Sequence, residues 1–279
     1  MKKLPINKVI RGDCLEVLSL FPTGSVDLVF TSPPYEDARL NCGRLKGQAW
    51  VDWAKVIFVE THRITKGLNA WVINGRTRKF AWSGTPALLM ADLLRAGISL
   101  RKPSIFHRVG IPGSGGPDWL RDDYEFVICS SRGKLPWSDN TACGHPPKFG
   151  PGGLPSHRLA DGTRINAKVQ TRRKPAGSRP RDGVYKPPKI ANPGNVLSLG
   201  AAGGGNIGSK LAHEHPAPFP EKLAEFYIKS FCKPGGIVLD CFCGSGTTLA
   251  VAKKLGRKYI GIDISPEYVA LSKRRLLSA

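Results

Sequence analysis

Two hydrophobic patterns alternate along most of the chain. Short apolar runs that are typical of buried strands occur at 26–30, 69–74, 124–129, 236–240 and 258–262. Apolar residues recur at helical spacing over 50–66, 86–95, 221–232, 247–255 and 266–277. Because strands and helices that alternate in sequence form parallel βαβ units, the pattern predicts an α/β fold with a doubly wound, mostly parallel sheet.

The middle of the chain lacks this alternation. Residues 134–215 hold 13 Lys or Arg against 4 Asp or Glu, and Pro and Gly fill 23 of the 82 positions. Too few apolar residues remain there to form a separate core, so we predict a basic, loop-rich insert. The predicted organisation is one domain in two halves, 1–133 and 213–279, with the insert over 134–212 between them.

Composition adds a strong positive charge to this picture. The 279 residues include 42 Lys or Arg and 21 Asp or Glu, a formal net charge of +21 at pH 7. Such an excess points to a polyanionic partner, most often nucleic acid and less often a membrane surface. No apolar run approaches a membrane span and no signal-peptide core follows Met1, so we expect a cytoplasmic protein without a membrane partner.

The seven cysteines predict neither disulfide bonds nor a metal site. Their number is odd, and the chain carries no secretion signal of the kind that accompanies a disulfide framework. Cys241 and Cys243 are two positions apart, and Cys143 lies two before His145, whereas structural zinc sites need paired C-x2-4-C units. Reduced cysteines and no bound metal are therefore expected.

A glycine-rich turn joins a predicted strand to a predicted helix late in the chain. It reads Asp240-Cys-Phe-Cys-Gly244-Ser-Gly246-Thr-Thr248, and Asp263 ends the next strand 23 residues beyond Asp240. Glycines permit a tight turn and let a ligand approach the amides of the helix N-terminus. The turn could be a simple strand-to-helix connection, but an acid at the end of the next strand favours a ligand with a ribose.

The residues around this turn restrict the kind of ligand. A nucleoside triphosphate is disfavoured because the turn lacks the lysine of a P-loop. A carboxylate beside the glycines, Asp240, would repel a pyrophosphate and suits a ligand with a positive ammonium group. S-adenosyl-L-methionine combines ribose, adenine, an α-amino group and a sulfonium, so we predict it as the cofactor.

A second motif, Thr-Ser-Pro-Pro-Tyr at 31–35, directly follows the strand 26–30. Ligands of open α/β sheets bind outside the carboxyl ends of the strands, where this motif must lie. The Ser32 hydroxyl and the rigidly held Pro33 carbonyl can accept two hydrogen bonds from one planar amino group. Tyr35 offers a flat ring on which a base can stack. A loop stiffened by proline is the alternative interpretation of this motif.

Together the two motifs resemble those of the amino-group DNA methyltransferases, in the β-class order. In that family Thr-Ser-Pro-Pro-Tyr comes early, a basic target-recognition region lies in the middle, and the turn Asp-x-Phe-x-Gly-Ser-Gly-Thr-Thr comes late. Residues 10–17, 215–223 and 259–263 resemble the family's further cofactor motifs, and the usual Pro after the acid is replaced by Cys241. The resemblance spans 6–133 and 213–277 and implies a Rossmann-like methyltransferase fold with permuted motif order.

The resemblance also implies a role for particular residues. The implied catalytic residues are Ser32, Pro33, Pro34 and Tyr35. The implied cofactor-binding residues are Asp13, Cys14, Thr31, His215, Phe219, Asp240, Phe242, Gly244, Ser245, Gly246, Thr247, Thr248 and Asp263. Within this set Asp13 would accept from the adenine amino group and Asp263 would hold the ribose. Double-stranded DNA would contact a basic run of the insert, which is alternatively a solvated face: Arg172, Arg173, Lys174, Arg179, Arg181, Lys186 and Lys189.

The implied reaction is methyl transfer to an exocyclic amine of a base that is flipped out of duplex DNA. Ser32 and the Pro33 carbonyl would hold the amine, and no enzyme nucleophile is needed. None of the cysteines follows a proline, as the nucleophile of cytosine-C5 enzymes does. Within the family, Ser at the start of Ser-Pro-Pro-Tyr usually accompanies N4-cytosine enzymes and Asp or Asn usually accompanies N6-adenine enzymes, which favours cytosine here.

Several alternatives remain open at this point. The same geometry serves an N6-adenine DNA methyltransferase, and more remotely an RNA-base methyltransferase or a DNA-binding protein without catalysis. The family resemblance further leaves open a homodimer and a cognate restriction endonuclease as partners.

If the basic insert binds DNA through phosphates, affinity should fall steeply with salt. Each phosphate contact releases a counterion, so the logarithm of the affinity should decline linearly with the logarithm of salt concentration. Fluorescence anisotropy on a labelled duplex over a salt series measures this slope. A flat dependence would contradict the expected phosphate contacts.

Overall fold

The structure, a computed structural model, describes residues 4–38, 44–110, 120–147, 156–158, 164–166, 189–200, 210–215 and 218–279. The strands in these ranges are β1 (Lys8–Arg11), β2 (Val26–Thr31), β3 (Thr65–Ile73), β4 (Thr77–Arg78), β5 (Ala81–Trp82), β6 (Ser104–Val109), β7 (Tyr124–Ser130), β8 (Ser156–Arg158), β9 (Arg164–Asn166), β10 (Val196–Gly200), β11 (Ile237–Asp240) and β12 (Lys258–Asp263). The helices are α1 (Cys14–Ser19), α2 (Gly47–Ile64), α3 (Thr85–Arg95), α4 (Glu221–Phe231), α5 (Thr247–Lys254) and α6 (Pro266–Leu277), with a 3-10 turn at Lys210–Glu214.

Eight strands form one sheet in the order β1-β12-β11-β2-β3-β7-β6-β10. Every neighbouring pair is parallel except the two pairs that β7 makes, with β3 and with β6, which are antiparallel. The predicted doubly wound, mostly parallel sheet is therefore confirmed. Two short hairpins, β4–β5 and β8–β9, lie outside this sheet.

Both faces of the central strands are covered, which explains why these strands consist mostly of apolar residues. All six residues of β2 are buried, as expected for a parallel strand with helices on either side. On one face Trp50 and Phe58 of α2 pack into the core, and on the other Leu223 and Tyr227 of α4 do so. The Thr-Ser-Pro-Pro-Tyr motif and the glycine-rich turn thus begin where strands that are fully or mostly buried end.

All ten elements expected from the hydrophobic pattern are present, with small shifts at their ends. Eight elements were not expected: β1, α1, β6, β10 and the four short strands of the β4–β5 and β8–β9 hairpins. The strands β1 and β6 carry mostly half-buried or exposed residues, and α1 is only six residues long, so each gives a weak periodic signal.

Part of the segment 134–212 joins the main sheet instead of forming loops. In β10, Val196–Gly200 pair with β6 at the sheet edge, and Leu197 is buried there. The alternation of Leu197 and Leu199 with Val196 and Ser198 suits an edge strand with one buried face. The division into two halves and a target-recognition insert remains a prediction.

Six residues of the predicted DNA-binding run lie outside the described residues: Arg172, Arg173, Lys174, Arg179, Arg181 and Lys186. The seventh, Lys189, is exposed. Among the described helices none is long and apolar enough to cross a membrane.

The six cysteines in the described ranges are unbridged. Those ranges also contain no group of three or more His, Cys, Asp or Glu side chains that could hold a metal ion.

Candidate active site

The two predicted motifs meet at the carboxyl ends of the parallel strands. The strands β2 and β11 are parallel neighbours, so the residues that follow them leave the sheet side by side. The contact between them is direct: the Thr31 hydroxyl donates a hydrogen bond of 2.6 Å to Asp240 Oδ1, and both side chains are buried. Residues 209 positions apart in sequence are thereby joined at the centre of the site.

Asp240 is a buried acid with a raised pKa. Its Oδ1 also accepts a hydrogen bond from the Phe242 amide at 3.2 Å. Removal of the carboxyl group from water raises its pKa to about 6, because these hydrogen bonds only partly offset the cost of burying a charge. The carboxylate is therefore largely ionised at neutral pH and loses its charge in mildly acidic solution.

The glycine-rich turn adopts the conformation that its glycines allow. Gly244 and Gly246 have φ values of 49° and 76°, in the left-handed region that L side chains rarely enter. A Cβ on Gly244 would lie 2.9 Å from His215 Nε2, and one on Gly246 would lie 2.8 Å from Ser272 Oγ. His215 therefore packs directly on the turn, as the prediction that it belongs to the cofactor site requires.

Asp263 closes the turn from the neighbouring strand. Its Oδ2 accepts a hydrogen bond of 2.9 Å from the Gly244 amide, and its Oδ1 accepts one of 2.9 Å from the Ser265 amide. Burial raises the pKa of this carboxyl group as well. Each carboxylate oxygen has further acceptor capacity, so these bonds fix the group without preventing it from binding ribose hydroxyls.

The loop after β1 lies beside Asp263. The Gly12 amide donates to the Asp263 carbonyl at 3.1 Å, which brings Asp13 and Cys14 to the same edge of the sheet. Asp13 is exposed and caps α1 through the amides of Leu15 and Glu16. Burial raises the pKa of the Cys14 thiol to about 12, which keeps it protonated.

The remaining predicted cofactor residues also lie around this edge. Phe242 packs against Trp53 and Trp71, and Phe219 contacts Phe30, the residue before Thr31, edge-on at 5.5 Å. The side chains of Ser245, Thr247 and Thr248 are buried at the start of α5.

The Thr-Ser-Pro-Pro-Tyr motif is anchored by contacts that sequence reasoning did not anticipate. Ser32 Oγ donates to the Val72 carbonyl at 3.2 Å, and Trp50 Nε1 donates to the Pro34 carbonyl at 2.9 Å. Within the described ranges no hydrogen bond reaches the Pro33 carbonyl. The Pro34 carbonyl thus holds the motif in place.

Tyr35 is held by a largely buried acid on β7. Its hydroxyl donates a hydrogen bond of 2.7 Å to Glu125 Oε2, and Arg108 lies 3.3 Å from Glu125 Oε1. Burial raises the pKa of Glu125, and burial beside this carboxylate raises the pKa of Tyr35. Glu125 was missed in the sequence, although a single acid within the apolar run 124–129 is a signal that could have identified it.

Two further buried charges support the motifs. Glu36, directly after Tyr35, accepts hydrogen bonds from the amides of Arg76 and Gly47. Arg275 of α6 is 1% exposed, and it donates to Thr247 Oγ1 and to Glu221, both at 2.8 Å. These groups connect the catalytic motif to α2 and the glycine turn to α4, and neither has a distinctive sequence pattern.

Comparisons with known proteins agree with this arrangement. A family model described as DNA methylase matches residues 26–274. The orphan methyltransferase M.BamHII of Bacillus amyloliquefaciens is 32% identical over 95% of this chain and 90% of its own length. The DNA adenine methyltransferase YhdJ of Escherichia coli is 28% identical over 96% of this chain and 82% of its own length. The solved structure of PvuII DNA methyltransferase (cytosine-N4-specific) superposes with a TM-score of 0.67 at 25% identity, over 96% of this chain and 85% of that one.

The raised pKa of Asp240 predicts a pH-dependent affinity for a positively charged cofactor. The charged carboxylate prevails only above about pH 6, so S-adenosylmethionine should bind more weakly as the pH falls through this value. Calorimetric titrations at several pH values measure the effect.

The Asp240→Asn variant is the control for this assignment, because Asp263 also has a raised pKa and could contribute. We expect the variant to bind the cofactor weakly and with a flatter pH profile. An unchanged profile in Asp240→Asn would assign the titration to another group.

Proposed function

Because the chain belongs to the DNA methylase family, we propose that it methylates the N4 amine of a cytosine that is flipped out of duplex DNA. It is a DNA amino-methyltransferase, with S-adenosylmethionine as its methyl donor. The proposal that the methyl group goes to an exocyclic amine is supported by two hydrogen-bond acceptors in adjacent residues, the Ser32 hydroxyl and the Pro33 carbonyl. Both belong to the motif that lies beside the glycine-rich turn. Two acceptors at one place suit the two hydrogens of an exocyclic amine.

The choice of cytosine rests on the residue type at position 32 and on one of the relatives. Ser32 begins the motif where N6-adenine enzymes usually have Asp or Asn. The PvuII enzyme, which superposes over nearly all of the chain, carries the description cytosine-N4-specific. The alternative is an adenine-N6 enzyme, since YhdJ is described as a DNA adenine methyltransferase.

The residues at the cofactor edge fit S-adenosylmethionine. Asp240, Asp263 and Asp13 come from the ends of three parallel strands, and acidic groups suit a ligand with an ammonium, a sulfonium and ribose hydroxyls. Asp263 would hold the ribose, Asp13 the adenine amino group, and Asp240 the ammonium group. When bound, the cofactor supplies an electrophilic methyl group.

The chain's own residues hold the amine for transfer. Ser32 already donates its proton to the Val72 carbonyl, so its oxygen lone pairs remain to accept from the amine. Accepting both amine hydrogens would draw the nitrogen lone pair out of conjugation with the ring. Tyr35, fixed through Glu125, would stack on the base. Catalysis by these groups is mainly positioning and electrostatic stabilisation.

We propose three further partners: double-stranded DNA, a restriction endonuclease and a second copy of the chain. The basic run from Arg172 to Lys189 would contact double-stranded DNA as part of a target-recognition insert. The relatives include type II methyltransferases such as M.PvuII of Proteus hauseri, so a cognate restriction endonuclease and a homodimer are both part of the proposal.

The Ser32→Ala variant tests the role of the hydroxyl. Loss of one preorganised hydrogen bond should lower the methylation rate by about 100-fold, with cofactor affinity unchanged. Nucleoside mass spectrometry on DNA from expressing cells measures both the product and its amount. Ser19→Ala, which removes an exposed hydroxyl bonded within its own helix, is the matched control.

The expected product is N4-methylcytosine, formed by the wild type and the control and almost absent in Ser32→Ala. N6-methyladenine would overturn the cytosine assignment and keep the amine-holding role. Full activity in Ser32→Ala would contradict that role.

Glu125 should act on the reaction through Tyr35. Glu125→Ala removes a hydrogen bond to a charged group, for which a loss of about 1.5 kcal/mol, roughly tenfold in rate, is expected. Tyr35→Phe should give a similar loss, and the double variant should be no slower than either single variant. Measured kcat values with unchanged cofactor affinity would show this coupling. Additive losses would mean that the two residues act separately.

A further inference from the structure

The short hairpin β4–β5 has an unusual tip. Its register pairs Thr77 with Trp82 and Arg78 with Ala81, which leaves only Lys79 and Phe80 in the turn. Both turn residues have positive φ, 47° and 64°. Two-residue turns of this kind strongly favour Asn-Gly, because side chains crowd the backbone in the left-handed region.

The chain thus places a lysine and a bulky aromatic residue where glycine would fit best. Phe80 is 77% exposed and Trp82 is 47% exposed, so most of the Phe80 side-chain surface faces solvent. Residues kept in strained conformations cluster at functional sites, where the geometry serves a ligand. The exposed tip is therefore a candidate contact for a ligand.

The hairpin is fixed to the catalytic motif. The Arg76 amide donates to Glu36 Oε1 at 2.9 Å, and Glu36 directly follows Tyr35. The Ser83 amide closes the base of the hairpin on the Arg76 carbonyl at 2.8 Å. A Cβ on Gly75 would lie 2.5 Å from Trp82 Nε1, so the hairpin packs tightly where it leaves β3. Its position is therefore set by the same contacts that hold the motif.

The hairpin and its surroundings carry an excess of positive charge. Arg76, Arg78 and Lys46 all contact the single carboxylate of Asp37, and their side chains remain 47%, 55% and 60% exposed. Lys79 adds a further cation at the tip. Three cations that share one carboxylate retain a net charge, which suits an anionic partner such as a phosphate backbone.

We propose that residues 76–82 form a DNA-contacting wedge: Arg76, Arg78 and Lys79 bind backbone phosphates, and Phe80 stacks on the bases beside the flipped nucleotide. This inference rests on the proposed action on duplex DNA. An extruded base leaves a gap in the stack, and apolar side chains inserted between base steps stabilise such distorted duplexes. A rigid attachment next to Tyr35 places the wedge near the base that is to be extruded.

The stacking role of Phe80 is tested by measuring the methylation rate on two DNA duplexes. Both duplexes contain the sequence that the wild-type protein methylates. One duplex is fully paired, and in the other the target base is mismatched, which lowers the cost of extrusion. We expect Phe80→Ala to be about tenfold slower or more on the paired duplex and within about twofold of the wild type on the mismatched one. Leu94→Ala, which truncates another exposed apolar residue on α3, should behave as the wild type on both.

A rate loss of equal size on both duplexes, or no loss on either, would overturn the stacking role of Phe80. Phe80→Gly separates this role from folding, because glycine relieves the positive φ. It should raise the melting temperature while it reproduces the rate loss of Phe80→Ala. A failed proposal for the reaction is distinguishable, since the wild type would then methylate neither duplex.

The phosphate contacts are tested by salt dependence. The double variant Arg78→Gln, Lys79→Gln should reduce the slope of log affinity against log salt by about two. Lys258→Gln removes an exposed charge at the first residue of β12, at the end of the strand away from the site. It should leave the slope unchanged. An unchanged slope in the double variant would overturn the proposed phosphate contacts.

Discussion

The site depends on one buried hydrogen bond, from the Thr31 hydroxyl to Asp240. It joins the end of β2 to the end of β11 at 2.6 Å, in a place where an unpaired carboxylate would be costly. The Thr-Ser-Pro-Pro-Tyr motif leaves from one of these strand ends and the glycine turn leaves from the other, so the bond sets the separation between the two motifs.

Around this hydrogen bond, the acidic side chains of the site bind mainly backbone amides, and not other charged side chains. Glu36 and Asp263 each bind two backbone amides, and Asp240 binds one in addition to Thr31. A carboxylate with hydrogen-bond donors on both oxygens cannot change its rotamer without leaving a donor unpaired. Glu36 and Asp263 therefore fix the loops that they bind, which suits catalysis by positioning.

The sequence allowed the sheet and both motifs to be predicted because each has a local signal. β2 and β11 consist mostly of apolar residues, and Gly244 and Gly246 mark a turn that needs positive φ. Glu36 and Arg275 could not be assigned in this way, since each acts through partners far along the chain and looks like an ordinary polar residue of a loop or helix. The β4–β5 hairpin was missed because Lys79-Phe80 is the opposite of a turn signal.

The sheet order has a consequence for synthesis of the protein. β2 pairs with β11, and β1 pairs with β12, so the amino-terminal strands find these neighbours only after some 200 further residues have left the ribosome. Until then β2, whose six residues are all buried in the folded protein, has one open edge. Such distant pairings slow folding and favour association of incomplete chains. The site can therefore assemble only after the segment that contains β11 and β12 has been synthesised.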